Sequence, residues 1–263
     1  MNRFLAAAFF ILAGSLLNAL VLAQSPMPPP PYGDYPAHVM PEEFFDLSLR
    51  RGFPKGIRED RVLKEGLLAP SLADRLASAA FLRARNTGLI RLLPRGPYLT
   101  YHKKTKLISV GGAYYSFANL THDYGHSSDI ELHDDTLSSG FAGADYGMLT
   151  NLGDVSLEGI SREDPRFAFI SNYKPPKAET QARAEAQRFR LTGGVMIEGL
   201  LYCSSLPVQE KATYLLRSII YRRSQPSDVL VAFRVVRKET DGSVIIAWKL
   251  LKNYHAPALN RNK

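Results

Sequence analysis

Runs of strand-forming apolar residues, rich in Val, Ile, Leu, Phe and Tyr, occupy most of the last third of the chain. These runs, separated by short polar stretches, predict four strands, over 194–203, 212–221, 229–239 and 244–251. The dipeptide Asp241-Gly242 between the last two strands is typical of a two-residue hairpin turn. We therefore predict antiparallel β structure at the C-terminal end.

The region 89–160 shows a second β pattern, with shorter apolar runs. Turn-forming residues interrupt it roughly every eight to twelve positions, which is the spacing expected of an antiparallel sheet. Two helical patterns flank this region, one over 72–85 and one over 177–189, and a shorter helix is predicted over 58–68. These patterns predict an α+β fold, predominantly antiparallel β-sheet with two or three helices.

The two main helices carry recognisable starts and apolar faces. Ser71 and Asp74 have the spacing of a capping box at the first helix. The residues expected to face the core are Leu72, Leu76, Ala79 and Ala80 in the first helix, and Ala182, Ala186 and Phe189 in the second.

An apolar run over 4–23, behind Arg3, has the form of a signal peptide with cleavage after Ala23. The alternative is an uncleaved membrane anchor, since a run of this length spans a bilayer. The Pro-rich stretch 24–41 is predicted to be an extended spacer. The remainder, 42–263, is predicted to be a single β-rich domain, with a possible subdivision near 165–176. We therefore expect an exported, periplasmic or secreted protein.

Charge is distributed unevenly along the chain, whose net charge is +8. Residues 121–165 hold ten acidic side chains against one arginine, whereas 166–263 hold seventeen basic side chains against seven acidic ones. The acidic middle either folds against the basic remainder or forms a separate binding face. The basic residues form no dense cluster, which argues against a nucleic-acid partner and leaves an anionic membrane or cell-wall surface as an alternative.

The single cysteine, Cys203, cannot form an internal disulfide. The apolar residues before it predict a buried thiol at the end of a strand, with a packing role rather than a nucleophilic one.

The predicted C-terminal hairpin places two cations opposite each other. With a two-residue turn at 241–242, Arg234 faces Lys249, and two like charges in this position require a counter-charge. The counter-charge is either an internal carboxylate, such as Glu198 or one from the acidic middle, or a bound anion. Arg234 and Lys249 are therefore candidate anion or ligand-binding residues.

A cluster of reactive side chains lies in the acidic middle. His122 and His126 have the spacing of the zinc-protease motif, and Asp129 follows as a third candidate ligand. Asp123 stands where that motif has its general-base glutamate, and Gly125 interrupts the helix that the motif requires. A calcium site is another possibility, and its candidate oxygen donors are Asp129, Glu131, Asp134, Asp135 and Asp154. No cofactor is otherwise expected beyond such a divalent metal, Zn or Ca.

No intact catalytic motif is found in the sequence. The pattern favours a non-catalytic, envelope-associated binding or structural module, which uses the Gly-, Tyr- and Asp-rich middle segment to contact an envelope component or another protein. The alternative is a metal-assisted hydrolase, with His122, His126 and Asp129 as ligands and Asp123 or Glu131 as base.

Overall fold

The computed structural model describes residues 68–95, 110–122, 128–141, 143–191, 193–221 and 225–260. The chain divides into two units, Met1–Pro36 and Ala37–Lys263, and all described residues belong to the second. The predicted signal peptide and spacer lie outside the described residues, as does the helix predicted over 58–68 apart from Leu68. Within the described ranges, no helix is long and apolar enough to cross a membrane.

A five-stranded antiparallel sheet, which we call the central sheet, organises the molecule. Its strands, in spatial order, are β1 (Thr87–Leu92), β11 (Val244–Asn253), β10 (Ser227–Lys238), β9 (Thr213–Ile220) and β5 (Tyr146–Gly153). Three of the four strands predicted near the C-terminus correspond to β9, β10 and β11.

A smaller antiparallel sheet, the outer sheet, packs on one face of the central sheet. Its strands, in spatial order, are β2 (Tyr114–Tyr115), β3 (Ile130–His133), β4 (Thr136–Ser138) and β8 (Ser205–Pro207). Strand β10 shows how one sequence serves both faces of the central sheet. Its residues Val229, Val231, Phe233 and Val235 face the outer sheet, whereas Leu230 and Ala232 face the opposite way.

Helices cover the other face of the central sheet. The described α-helices are α1 (Leu72–Ala77), α2 (Ala79–Leu82), α3 (Ala168–Asn172) and α4 (Glu179–Leu191). As predicted, Ala182, Ala186 and Phe189 of α4 are buried, and they join the core on this face. Antiparallel sheets with few helices confirm the β-rich α+β class.

The helix predicted over 72–85 is shorter than expected, and a different face of it points toward the core. Its capping box is present, since Ser71 and Asp74 cap each other, but α1 stops at Ala77 and α2 follows as a separate piece. Asp74 is buried and binds Arg237, with Arg237 Nη1 at 3.0 Å. The predicted inward face was wrong, because this ion pair draws the polar side of α1 inward and leaves Leu72 and Leu76 each 67% exposed.

The strand predicted over 194–203 is a hairpin. Its arms are β6 (Val195–Ile197) and β7 (Leu200–Tyr202). Glu198 and Gly199 both have positive φ, at 51° and 80°, as a two-residue hairpin turn of the primed kind requires. The turn was not predicted because Glu-Gly, within an apolar run, is a weaker turn signal than Asn-Gly.

The β10–β11 hairpin is wider than predicted, and its register differs. Glu239 N–H donates to Ser243 O at 2.8 Å across a three-residue loop, in which Gly242 has a φ of +84°. A bulge between Val235 and Arg237 shifts the register once more. Arg234 therefore faces Ala247, and Lys249 faces Ala232. The predicted direct opposition of Arg234 and Lys249 was wrong, because the turn residues alone do not reveal the bulge.

Candidate functional site

A tight turn leads out of strand β2 into the acidic middle of the chain. Ser116 N–H donates to Thr121 O at 2.9 Å, and Thr121 N–H donates back to Ser116 O at 3.3 Å. Residues 117–120 form the loop between them. We call residues 116–121, together with Asp129, the Asp129 turn.

The Asp129 carboxylate lies beneath this turn and fixes its backbone. Its Oδ2 accepts hydrogen bonds from Phe117 N at 2.6 Å and from Ala118 N at 3.2 Å. Ser116 Oγ donates to the same oxygen at 3.3 Å and accepts from Asn119 N at 3.2 Å. The carboxylate therefore satisfies main-chain donors that the turn itself leaves unpaired.

Asp129 is fully buried, and this burial raises its pKa to about 6. The hydrogen bonds to Oδ2 favour the charged form, as does the nearby hydroxyl of Ser218, but burial outweighs them. The second oxygen, Oδ1, is buried and makes no hydrogen bond within the described residues. The turn therefore rests on a carboxylate whose charge is costly at neutral pH.

Leu120 lies in the loop of the Asp129 turn and points outward. Its side chain is 62% exposed, and its φ of 55° is in the left-handed region, which a leucine rarely adopts. An apolar side chain is thus displayed to solvent on a backbone conformation that costs of order 1–2 kcal/mol. The hydrogen bonds to Asp129 fix the first half of the loop, and the main-chain pairing of Ser116 with Thr121 closes it around Leu120.

His122 follows the turn directly. Its Nδ1 lies 2.9 Å from Tyr114 O, and its ring packs edge-on against Tyr115. A carbonyl oxygen only accepts hydrogen bonds, so Nδ1 carries the proton. Any further hydrogen bond of the ring nitrogens, or a bond to a metal ion, is then made through Nε2. His126, with Asp123, lies outside the described residues. In the described ranges, no three His, Cys, Asp or Glu side chains are grouped so that they could hold a metal ion.

The other candidate calcium donors in the acidic middle bind different partners. Glu131 Oε1 accepts from Tyr114 Oη at 2.7 Å and from Arg95 Nη1 at 3.0 Å. Asp135 pairs with Lys238 at 2.6 Å, and Asp134 is exposed at a turn with a positive φ. The structure therefore uses several of these carboxylates separately, at different points of the fold.

Arg234 and Lys249 both hold the segment that follows strand β5. Arg234 Nη2 binds Asp154 Oδ1 at 2.6 Å, and its Nη1 donates to Val155 O at 3.0 Å. Lys249 Nζ donates to Ile160 O at 3.0 Å. Asp154 belongs to the acidic middle, so Arg234 has a carboxylate partner from that segment. Because the register separates Arg234 from Lys249, the predicted shared counter-charge is not required.

Cys203 is free and buried at the end of β7. Burial raises the pKa of its thiol to about 11, and its Sγ donates to Ser205 O at 3.1 Å. The thiolate is therefore scarce at neutral pH, as expected of a packing residue.

A buried ion pair, not predicted from the sequence, lies on the helical face of the central sheet. Arg217 Nε and Nη2 bind the two oxygens of Asp228 at 2.8 and 2.9 Å, and Nη1 donates to Ile170 O at 2.8 Å. The guanidinium carbon also lies 3.9 Å from the ring centroid of Tyr254. A lone arginine in the otherwise apolar stretch that forms most of β9 was the available signal.

Comparisons with family models, with curated proteins and with solved structures find no match to this chain.

Proposed function

We propose that this chain is a non-catalytic, exported module of the cell envelope that binds an envelope component or another protein through its Gly-, Tyr- and Asp-rich middle segment. The contact is made by the Asp129 turn, with Leu120 at its tip. The apolar run over 4–23 supports export.

The observation that carries this proposal is the display of Leu120. An exposed leucine in a left-handed conformation contributes little to the fold and costs backbone energy. The Asp129 carboxylate, whose burial is energetically costly, holds the turn that presents Leu120. Such an arrangement is typical of a preorganised contact residue, because the conformation is fixed before the partner arrives.

The charged groups around the turn favour binding over catalysis. Asp129 Oδ2 is engaged by the backbone of the turn, and Glu131 is engaged by Tyr114 and Arg95. Glu131, one of the two candidate bases, is therefore already hydrogen-bonded within the fold, whereas a general base needs a lone pair directed at its substrate.

The test compares Leu120→Asn with the unmodified chain. Asparagine tolerates the left-handed region, so the variant should be as stable as the original or slightly more stable. Its binding to the isolated envelope fraction of the producing cells should fall at least about fivefold, as for the loss of a buried apolar contact. Met196→Ser is the matched control, since Met196 is 65% exposed elsewhere. Unchanged binding of Leu120→Asn would contradict the proposal.

The metal-assisted hydrolase is the second candidate, because His122 is oriented through Nδ1 as zinc ligands are. Native mass spectrometry with and without chelator, on the purified chain and on a His122→Ala, His126→Ala double variant, separates the two functions. A stoichiometric metal that the double variant lacks would replace the binding proposal with the hydrolase. Identical spectra for both proteins would reject the metal site at these histidines.

A further inference from the structure

The segment 72–85 carries an unusual combination of exposed side chains. Leu72 and Leu76 are each 67% exposed. Arg75 is exposed between them on α1, and Arg83 and Arg85 are exposed just after α2. On a helix, positions 72, 75 and 76 lie within an arc of about 100°, so these three side chains project from one side.

These three arginines differ from the others in their partners. Within the described residues, no side-chain hydrogen bond or ion pair involves Arg75, Arg83 or Arg85. Every other described arginine binds a carboxylate or a carbonyl oxygen; these are Arg91, Arg95, Arg162, Arg166, Arg183, Arg188, Arg190, Arg217, Arg234 and Arg237. The unpaired positive charge of the described arginines is thus concentrated in one short segment.

The buried side of α1 explains why this face is left exposed. Asp74, the acidic residue of α1, is turned inward to Arg237. The Asp74 carboxylate is therefore paired inside the fold. The outward face of α1 presents leucines and an arginine without a neighbouring carboxylate on the same helix. A partner for this face must be both anionic and apolar.

We propose that segment 72–85 docks the domain onto an anionic phospholipid surface. Leucines on one side of a short helix, flanked by arginines, form the pattern of helices that lie in the plane of the membrane interface. The arginine stems extend along the apolar boundary while their guanidinium groups reach the phosphates. The choice of lipid over an acidic protein rests on the proposed envelope location, but not on the Asp129 turn.

The experiment measures co-sedimentation of the purified chain with vesicles of phosphatidylcholine alone and of phosphatidylcholine mixed with phosphatidylglycerol. Residues 4–23, if retained, bind both kinds of vesicle, so the readout is the ratio of the two partition coefficients. Each arginine near an anionic surface contributes about fivefold. The unmodified chain should prefer the anionic vesicles at least about tenfold, and high salt should remove that preference.

Two variants and three controls make the result specific. Arg75→Gln, Arg83→Gln and Arg85→Gln together should lower the ratio severalfold. Leu72→Ser with Leu76→Ser should lower binding to the anionic vesicles severalfold. The controls Arg183→Gln, whose arginine is exposed but paired with Glu179, Met196→Ser and Leu120→Asn should all keep the ratio of the unmodified chain.

Three results of the vesicle experiment would overturn the inference. They are a ratio near one for the unmodified chain, a ratio that survives the triple arginine variant, and an equal loss in Arg183→Gln. A leucine-dependent change in oligomeric state without vesicle binding would also reject the lipid surface, and would assign the face to a second copy of the chain. Because Leu120→Asn is a control here, failure of this inference is distinguishable from failure of the proposed function.

Discussion

At the scale of single residues, Asp129 connects a local turn to the pH dependence of the whole protein. Its pKa in the folded state, about 6, lies above the ordinary value near 3.9. Protonation therefore stabilises the fold. This contribution is fully present below about pH 4, and it is lost as the pH rises through 6.

We predict that the free energy of unfolding increases by about 1 to 2 kcal/mol from Asp129 alone as the pH falls from about 7.5 to about 5. Asp145, whose pKa burial also raises to about 6, acts in the same direction. In Asp129→Asn the pH dependence of urea unfolding should be shallower by that amount. Glu163→Gln, at an exposed site, serves as the control. If the unfolding free energy of Asp129→Asn depended on pH as strongly as that of the unmodified protein, the Asp129 carboxylate would not be the responsible group.

At the scale of elements, strand β5 passes the segment after β4 so closely that only glycine fits. A Cβ built on Gly147 would lie 1.8 Å from Ser139 Oγ and 2.5 Å from Ser139 Cβ. Gly147 faces Ser218 on the neighbouring strand β9. This contact therefore helps to set how near the outer-sheet segment approaches the central sheet.

We expect Gly147→Ala to destabilise the protein by about 1–3 kcal/mol, as overpacking does. Adding Ser139→Gly removes both clashing atoms, so the double variant should recover most of the loss. A double-mutant cycle by chemical denaturation measures this coupling. Gly159→Ala, where the nearest atom to the new Cβ lies 3.8 Å away, should be nearly neutral. Additive effects of the Gly147 and Ser139 substitutions would refute the close-approach explanation.

At the scale of the whole molecule, Arg217 joins parts that are distant in sequence. It extends from β9 to Asp228 on β10, to Ile170 O on α3, and to the ring of Tyr254 after β11. Tyr254 in turn donates to Ser171 O at 2.6 Å. One buried guanidinium therefore ties two strands, a helix and the C-terminal segment together.

Arg217→Met should cost about 3–5 kcal/mol of unfolding free energy, because it leaves the Asp228 carboxylate buried without its partner. Arg183→Met breaks an exposed pair and should cost well under 1 kcal/mol. Adding Asp228→Asn to Arg217→Met should restore part of the loss, since the stranded charge is then removed. Equal costs for Arg217→Met and Arg183→Met, measured by urea denaturation, would contradict this explanation.

The sequence by itself determined the β-rich class and several local features. Apolar runs of strand-forming residues predicted β9, β10 and β11, because strands that are covered on both faces are apolar along most of their length. The capping box at Ser71 and the inward face of α4 were also correct, since both depend on contacts three or four residues apart. His122 and Asp129 were singled out by type and spacing as candidate metal ligands, and that assignment stays a prediction.

The tertiary structure decided what local pattern could not. The orientation of α1 follows from Asp74 meeting Arg237, and the register at Arg234 follows from a bulge that the turn residues do not reveal. Asp129 serves the turn at residues 116–121 because folding brings β3 beside β2. These outcomes depend on partners far apart in sequence, whose meeting is fixed by the packing of two sheets and a helical layer and not by the residues on either side.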